Sequence, residues 1–340
     1  MENAWFGRRT YRSSDWSVER LVELKHRGRR TVSLVLPARD EAATVGGIVA
    51  RVRRELVEDA PLLDEIVVMD SDSADDTAAV AREAGATVHR VGDVRPDLGH
   101  HRGKGEAMWK SQFVTSGDIV AFLDADLVEW GPHFVSGLLG PLLTQPDVSL
   151  VKGFYDRVLD PSGDGGAAGG EVSYEGGRVT ELVARPTIAL RWPALSGVVQ
   201  PLSGEWAVRR DLFSQLSVPT GYGVELAVLV DTHLRRGVDA VAQVDLGRRA
   251  HRHQSLRDLG AMATELLAVA DRRSGLDRGS DRVELRQFGS GEARGAPLAT
   301  EVSVVERPPA ADVGARESRA GGGTGRAVLP DGLEGVIGRC

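Results

Sequence analysis

Asp124-Ala125-Asp126 has the residue types and the spacing for metal and phosphate chemistry. It closes the apolar run Ile119-Val-Ala-Phe-Leu123. Aspartates two apart at the end of a buried strand direct a carboxylate pair into a cleft. Hard oxygen donors of this kind suit Mg2+ or Mn2+ bridging to phosphate oxygens. Such a cation offsets the charge that develops on a departing diphosphate. The competing reading is a strand-end turn whose aspartate caps the next helix, and position in the fold decides between the two.

Five further clusters belong beside this one. In Asp70-Ser71-Asp72-Ser73, Asp70 and Ser71 are placed to hydrogen-bond a base or ribose, while Asp75 and Asp76 suit helix capping. Pro37-Ala38-Arg39-Asp40-Glu41 lies where a nucleotide base edge would sit, and Glu41 equally suits a first helical turn. Gly103-Lys104-Gly105-Glu106 opens a helix, so free backbone N–H groups and the Lys104 cation would face an anion. Its spacing is not that of a Walker A loop. Gly176-Gly177-Arg178-Val179-Thr180 repeats the arrangement, with a guanidinium and a hydroxyl fit for a phosphate monoester, or else a linker entering an ordinary helix. Finally, Arg248-Arg249-Ala250-His251-Arg252-His253 offers a metal-ligating His251 and a local basic cluster.

The elements that must position these groups follow from hydrophobic patterning. Thr31–Pro37, Glu65–Asp70, Thr87–Val91 and Asp118–Asp124 read as strands, separated by helical patterns near 45–56, 75–84 and 105–116. Near-continuous apolar strands alternating with helices imply a mostly parallel sheet covered on both faces. Ligands bind such sheets beyond the strand C-termini, where the clusters above fall. The second half is less regular. Strands are expected at Val148–Phe154, Gly204–Val208 and Ala240–Leu246, and helices at Arg178–Leu190, Gly223–Arg235 and Leu256–Ala270. A glycine-dominated loop spans 161–177. Residues 1–30 read as an N-terminal arm with one short amphipathic helix. Residues 31–272 read as the catalytic domain, divided into 31–147 for the nucleotide and 148–272 for the acceptor. Residues 273–340, rich in Gly, Arg, Ser, Glu and Pro, read as a flexible tail.

Bulk properties narrow the function class. The formal charge of -7 argues against general nucleic-acid affinity, so an anionic substrate must be met by local cations. Cys340 is the single cysteine, which excludes an internal disulfide and fits a reducing cytoplasm. No apolar run approaches the ~20 residues of a membrane span. A dehydrogenase is disfavoured because no G-x-G-x-x-G follows a strand. A sugar-phosphate nucleotidylyltransferase would need a glycine-rich basic loop where Pro37–Glu41 stands, and a non-catalytic nucleotide-sugar sensor is a third rival.

These segments resemble the retaining glycosyltransferases of the GT-A fold, specifically the glucosyl-3-phosphoglycerate synthase family. The resemblance runs in order over about residues 31–272. Its most specific stretches are Gly177-Arg-Val-Thr-Glu-Leu-Val-Ala-Arg-Pro186 and Gly221-Tyr-Gly-Val-Glu225. It implies transfer of glucose from UDP-glucose to the 2-hydroxyl of D-3-phosphoglycerate with Mg2+ or Mn2+; related enzymes use GDP-mannose. Carried over by motif, Pro37, Ala38, Glu41, Ser71 and Lys104 would hold the nucleotide, joined by Asp70, Asp124 and Ala125. Asp126 and His251 would bind the metal, and Gly177, Arg178, Val179 and Thr180 the acceptor phosphate. Glu225 would contact the donor sugar, completing an expected catalytic group of Lys104, Asp126 and Glu225. A homodimer is also implied. Two positions depart from the family: His253 replaces a usual Asn at the acceptor, and Ala125 replaces a usual Ser.

Overall fold

The computed structural model describes residues 2–159, 177–251, 256–276, 279–288 and 294–313. In chain order the strands are β1 (Thr10–Arg12), β2 (Val32–Ala38), β3 (Glu65–Asp70), β4 (Thr87–Arg90), β5 (Ile119–Phe122) and β6 (Leu150–Leu159). Then follow β7 (Trp206–Arg209), β8 (Val218–Pro219), β9 (Val241–His251), β10 (Arg282–Phe288), β11 (Pro297–Ser303) and β12 (Glu306–Arg307). The helices are α1 (Glu2–Arg9), α2 (Val18–Arg27), α3 (Val45–Arg53), α4 (Thr77–Glu83) and α5 (Lys104–Ser111). They continue as α6 (His133–Thr144), α7 (Arg185–Arg191), α8 (Arg210–Phe213), α9 (Val224–Arg236) and α10 (Leu256–Arg273).

An eight-stranded sheet in the order β1-β9-β6-β7-β5-β2-β3-β4 forms the frame, parallel except where β7 runs antiparallel to both neighbours. Its inner strands β2, β3 and β5 are apolar on both faces because helices cover both. Leu34, Leu36 and Val68 face Ile48, Val52 and Leu138 on one side. Val35, Met69 and Phe122 join Trp109, Val228 and Trp206 on the other. Burying a side chain such as Phe122 completely contributes about 2–3 kcal/mol. The α/β frame expected from the patterning is therefore present. Strand direction was not encoded in it, so β7 enters as the one reversed strand of this sheet.

Both terminal assignments need correction. The expected N-terminal arm is built into the domain: β1 pairs in parallel with β9, Trp5 Nε1 donates to the Val238 carbonyl at 3.0 Å, and Arg9 pairs with Asp147. The expected tail also folds back as far as Val313. Strands β10 and β11 form a hairpin, β12 pairs with β8, and Val302, Ala310 and Val313 are buried. The physical reason is the same at both ends, since short polar strands gain their hydrogen bonds from distant partners and need no strong pattern of their own. Residues 314–340 and most of the glycine-rich 161–177 stretch lie outside the described residues. Among the described residues no helix is long and apolar enough to cross a membrane.

Candidate active site

The C-terminal ends of β2, β3 and β5 open into a cleft of about 910 Å3. From the first half it is lined by Pro37, Ala38, Glu41, Ser71, Lys104, Asp124, Ala125 and Asp126. From the second half it is lined by Gly177, Arg178, Val179, Thr180, Glu225, Tyr155 and Arg249. The turn after β5 is pinned by Thr44 Oγ1, which donates to the Ala125 carbonyl at 2.6 Å. This turn directs both aspartates toward the cleft.

Lys104 Nζ donates to Asp124 Oδ1 at 2.6 Å and lies 2.9 Å from Glu225 Oε1. On the opposite side of Asp124 sits Arg249, a buried residue near the end of β9. Its guanidinium is 3.3 Å from Asp124 Oδ2, 3.0 Å from Asp126 Oδ1 and 2.7 Å from Glu205 Oε1. It also donates to the Tyr155 hydroxyl at 2.7 Å. Behind these, buried Lys152 donates to the Ser203 carbonyl at 2.7 Å.

Burial alone would pull the Lys104 ammonium down, but Asp124 and Glu225 outweigh it and raise it above its ordinary value. Burial pushes the Asp124 carboxyl up; Lys104 and Arg249 reverse that and leave it below the usual carboxylate range. Burial dominates at Glu205, which is raised despite Arg249, and at Lys152, which is pulled down to about 8.

The helix opening at Gly103 differs from expectation. Gly103 has φ +133°, and a Cβ there would strike the Thr220 carbonyl. Gly105 N and Glu106 N donate to the carbonyls of Gly221 and Thr220 at 3.3 and 2.9 Å. Those two first-turn N–H groups are thus occupied by the Thr220 and Gly221 carbonyls and are not left for an anion. What α5 offers the cleft is the Lys104 side chain. At the other expected anion site, Gly177 begins a helical turn, with Glu181 N donating to its carbonyl at 3.0 Å. A π-helical turn over Thr180–Ala184 then leads into α7. Arg185 anchors that turn through Glu181 and the Val199 carbonyl, both at 2.7 Å.

For a metal ion, the donors that the cleft offers are carboxylate oxygens, the chemistry a hard divalent cation takes. The Asp126 side chain is 39% exposed in the cleft, so it is accessible to one. Among the described residues, no cluster of three or more His, Cys, Asp or Glu makes a complete ligand set. His251 ends β9, two residues beyond Arg249.

Comparison with known proteins places this geometry. Residues 33–167 match glycosyl transferase family 2. The glucosyl-3-phosphoglycerate synthase of Mycolicibacterium smegmatis is 43% identical over 309 residues, 91% of this chain and 98% of that protein. The chain belongs to the glucosyl-3-phosphoglycerate synthase family. A Mycobacterium tuberculosis glucosyl-3-phosphoglycerate synthase in complex with Mg2+ and uridine-diphosphate superposes with a TM-score of 0.78 at 42% identity, covering 90% of this chain and 99% of that one. The same synthase with Mn2+, UDP-Glc and phosphoglyceric acid gives 0.76 at 42% identity, covering 88% and 95%.

In this member of the synthase family, most residues singled out from sequence meet in the one cleft. Asp70 does not line it; the carboxyl is buried and accepts from Ser73 N at 3.4 Å, supporting the turn. Asp75, expected as a helix cap, accepts from Thr77 N at 3.0 Å and also ties down Ala42 N at 3.1 Å. Asp76 holds the capping position of α4 without a side-chain hydrogen bond. Glu41 precedes α3 by four residues instead of starting it, and the Glu41 carbonyl accepts from Val45 N. His253 and the His251 side chain lie outside the described part of the structure. Sequence reasoning missed Glu205, Tyr155 and Lys152 and treated Arg249 only as part of a basic run. The signal for Arg249 was its place on a strand heading for the Asp124 loop; for Glu205 and Lys152 there was none.

Proposed function

We infer that this protein transfers glucose from UDP-glucose to the 2-hydroxyl of D-3-phosphoglycerate, giving glucosyl-3-phosphoglycerate with retention at the anomeric carbon. The observation that carries the reading is a single cleft that joins the Lys104–Asp124–Glu225 cluster to the Gly177–Thr180 turn. One end suits a sugar diphosphate and the other a phosphorylated acceptor. Pro37, Ala38, Glu41 and Ser71 are assigned to the nucleotide, with Asp124 and Ala125 at its diphosphate end. Asp126 with His251 would hold Mg2+ or Mn2+, whose charge offsets that of the diphosphate.

In the proposed reaction Lys104 stabilises the leaving diphosphate as negative charge grows on it. Glu225, held by Lys104, accepts hydrogen bonds from the glucose hydroxyls. Gly177, Arg178, Val179 and Thr180 hold the acceptor phosphate, and the family resemblance assigns His253 to the acceptor as well. This fixes the 2-hydroxyl on the face of the sugar that the diphosphate leaves. The hydroxyl oxygen bonds to the anomeric carbon as the carbon–oxygen bond to the diphosphate breaks. The hydroxyl proton passes to a leaving-group oxygen. The lone cysteine fits a cytoplasmic setting, and the family resemblance points to a homodimer, which sedimentation would check.

The test is a matrix of UDP-glucose and GDP-mannose against 3-phosphoglycerate and unphosphorylated glycerate, with products read by mass spectrometry. Turnover is expected only with UDP-glucose and 3-phosphoglycerate. Equal use of glycerate would remove the acceptor-phosphate role of Arg178 and Thr180, and exclusive use of GDP-mannose would overturn the donor.

A further inference from the structure

We propose that Arg307, from the C-terminal segment, is a positioning residue for the transfer reaction: it fixes the loop that brings His101 through Lys104 to the cleft. The proposal rests on the UDP-glucose reading of the site. Strand β12 pairs with β8 in the register Glu306 to Pro219 and Arg307 to Val218, and Thr220 N donates to the Val305 carbonyl at 3.0 Å. That places the Arg307 guanidinium in the interior, 4.9 Å from the Trp109 ring centroid. The Trp109 indole in turn donates to the Pro308 carbonyl at 2.8 Å.

The guanidinium makes contacts in two directions. Toward α5, Nε and Nη2 grip Glu106 Oε2 and Oε1 at 2.7 and 2.6 Å, a bidentate fork on a carboxylate with no exposed surface. Toward the preceding loop, Nη1 donates to the Leu98 carbonyl at 2.8 Å and Nη2 to the Gly99 carbonyl at 3.2 Å. Glu106 adds to the same loop by accepting from His101 N at 3.3 Å. Buried Lys110 donates to the Gly99 and Val91 carbonyls at 2.9 and 3.1 Å. The residues immediately after Gly99, His100 to Lys104, all line the cleft, and Lys104 stands two residues before Glu106.

Stability alone does not call for this arrangement. A buried ion pair is often replaceable by apolar residues of similar volume at no cost. Here the charges are spent on fixing the backbone of one loop and the first turn of one helix. A displacement of about 1 Å at a reacting group can cost on the order of 100-fold in rate. A lysine at 307 would keep a charge for Glu106 yet could not fork to the Leu98 and Gly99 carbonyls as well.

The experiment compares full-length wild type, Arg307→Lys and the double variant Glu106→Gln/Arg307→Met. Initial rates over UDP-glucose and 3-phosphoglycerate are measured together with the melting temperature. Wild-type turnover of UDP-glucose tests the functional reading; the variant-to-wild-type ratio tests Arg307. Both variants are expected to melt within about 5 °C of wild type. Their kcat/KM for UDP-glucose is expected to fall tenfold or more, with KM for 3-phosphoglycerate within threefold. A kcat/KM within threefold of wild type would overturn the proposal. So would an equal rise of both KM values, or loss of folding in both variants, since the network would then serve stability alone.

Discussion

Replacing Lys104 with methionine separates what this residue does for folding from what it does for the reaction. The ammonium stands 2.6 Å from Asp124 and 2.9 Å from Glu225, so removing it leaves a half-buried and a buried carboxylate without their shared cation. Asp124 retains Arg249 at 3.3 Å. Glu225, 5% exposed, bears most of the loss. Removing one partner of a buried pair costs about 3–5 kcal/mol, which for a chain of this size is a drop in Tm of about 4–7 °C. Adding Glu225→Gln should recover most of that, because no uncompensated buried carboxylate remains there. Activity should not return. An electrostatic group aimed at developing charge is worth about 100- to 1,000-fold in kcat, roughly 3–4 kcal/mol of barrier. The assay is UDP release at saturating 3-phosphoglycerate, run beside thermal unfolding. A Lys104→Met kcat within fivefold of wild type would refute the leaving-group role. Failure of Glu225→Gln to recover Tm would refute the charge-balance argument.

Three other outcomes are expected. Asp126→Ala should lower kcat at least about 100-fold and abolish Mn2+ binding measured by calorimetry; unchanged Mn2+ affinity would move the metal elsewhere. Arg178→Ala should raise KM for 3-phosphoglycerate about tenfold or more while leaving KM for UDP-glucose within a few-fold; the opposite pattern would reassign the turn to the donor. Burial raises the Glu265 carboxyl from 4.5 to about 7, while its Oε2 accepts from Tyr222 N at 2.6 Å. The folded state therefore holds that proton more tightly than the unfolded state, and stability falls as pH rises from about 4.5 to about 7. Glu265→Gln should then stabilise by about 2 kcal/mol at pH 8, allowing for partial solvent access, and by almost nothing at pH 4. Parallel denaturation curves for the two proteins across that range would rule this out.

The first half of the molecule was readable because its physics is local. Strands β2, β3 and β5 are buried on both faces and so are written as unbroken apolar runs, and their ends fix where a ligand can lie. What escaped depends on partners far away in sequence. The three residues of β1 are a strand only because Gln243, Val244 and Asp245 lie beside them. Arg307 is buried only because Glu106, about 200 residues earlier, receives it. In β10 the period-two alternation of Val283, Leu285 and Gln287 was present, but the glycine- and arginine-rich setting concealed it. The anion site expected at α5 failed for a related reason: Gly105 N and Glu106 N satisfy the Gly221 and Thr220 carbonyls, a pairing that local spacing does not reveal.

Charge balance explains why Asp124-Ala125-Asp126 needs a cation even though it is already surrounded by cations. The inner cluster sets four carboxylates, Asp124, Asp126, Glu205 and Glu225, against three cations, Lys104, Arg249 and Lys152. Burial works on both sides of that count, raising Glu205 toward its neutral acid and pulling Lys152 down to about 8. The cluster is therefore close to neutral before any ligand enters, and Lys104 and Arg249 are engaged with its own anions. A sugar diphosphate adds about two negative charges in a setting where they are poorly screened. Lys104 cannot answer for them alone, because it must also hold Asp124 and Glu225 in place. A divalent ion on the exposed Asp126 carboxylate meets that demand without dismantling the pairs that order the site. Metal dependence thus follows from the electrostatics of the cluster as well as from the chemistry of its donors.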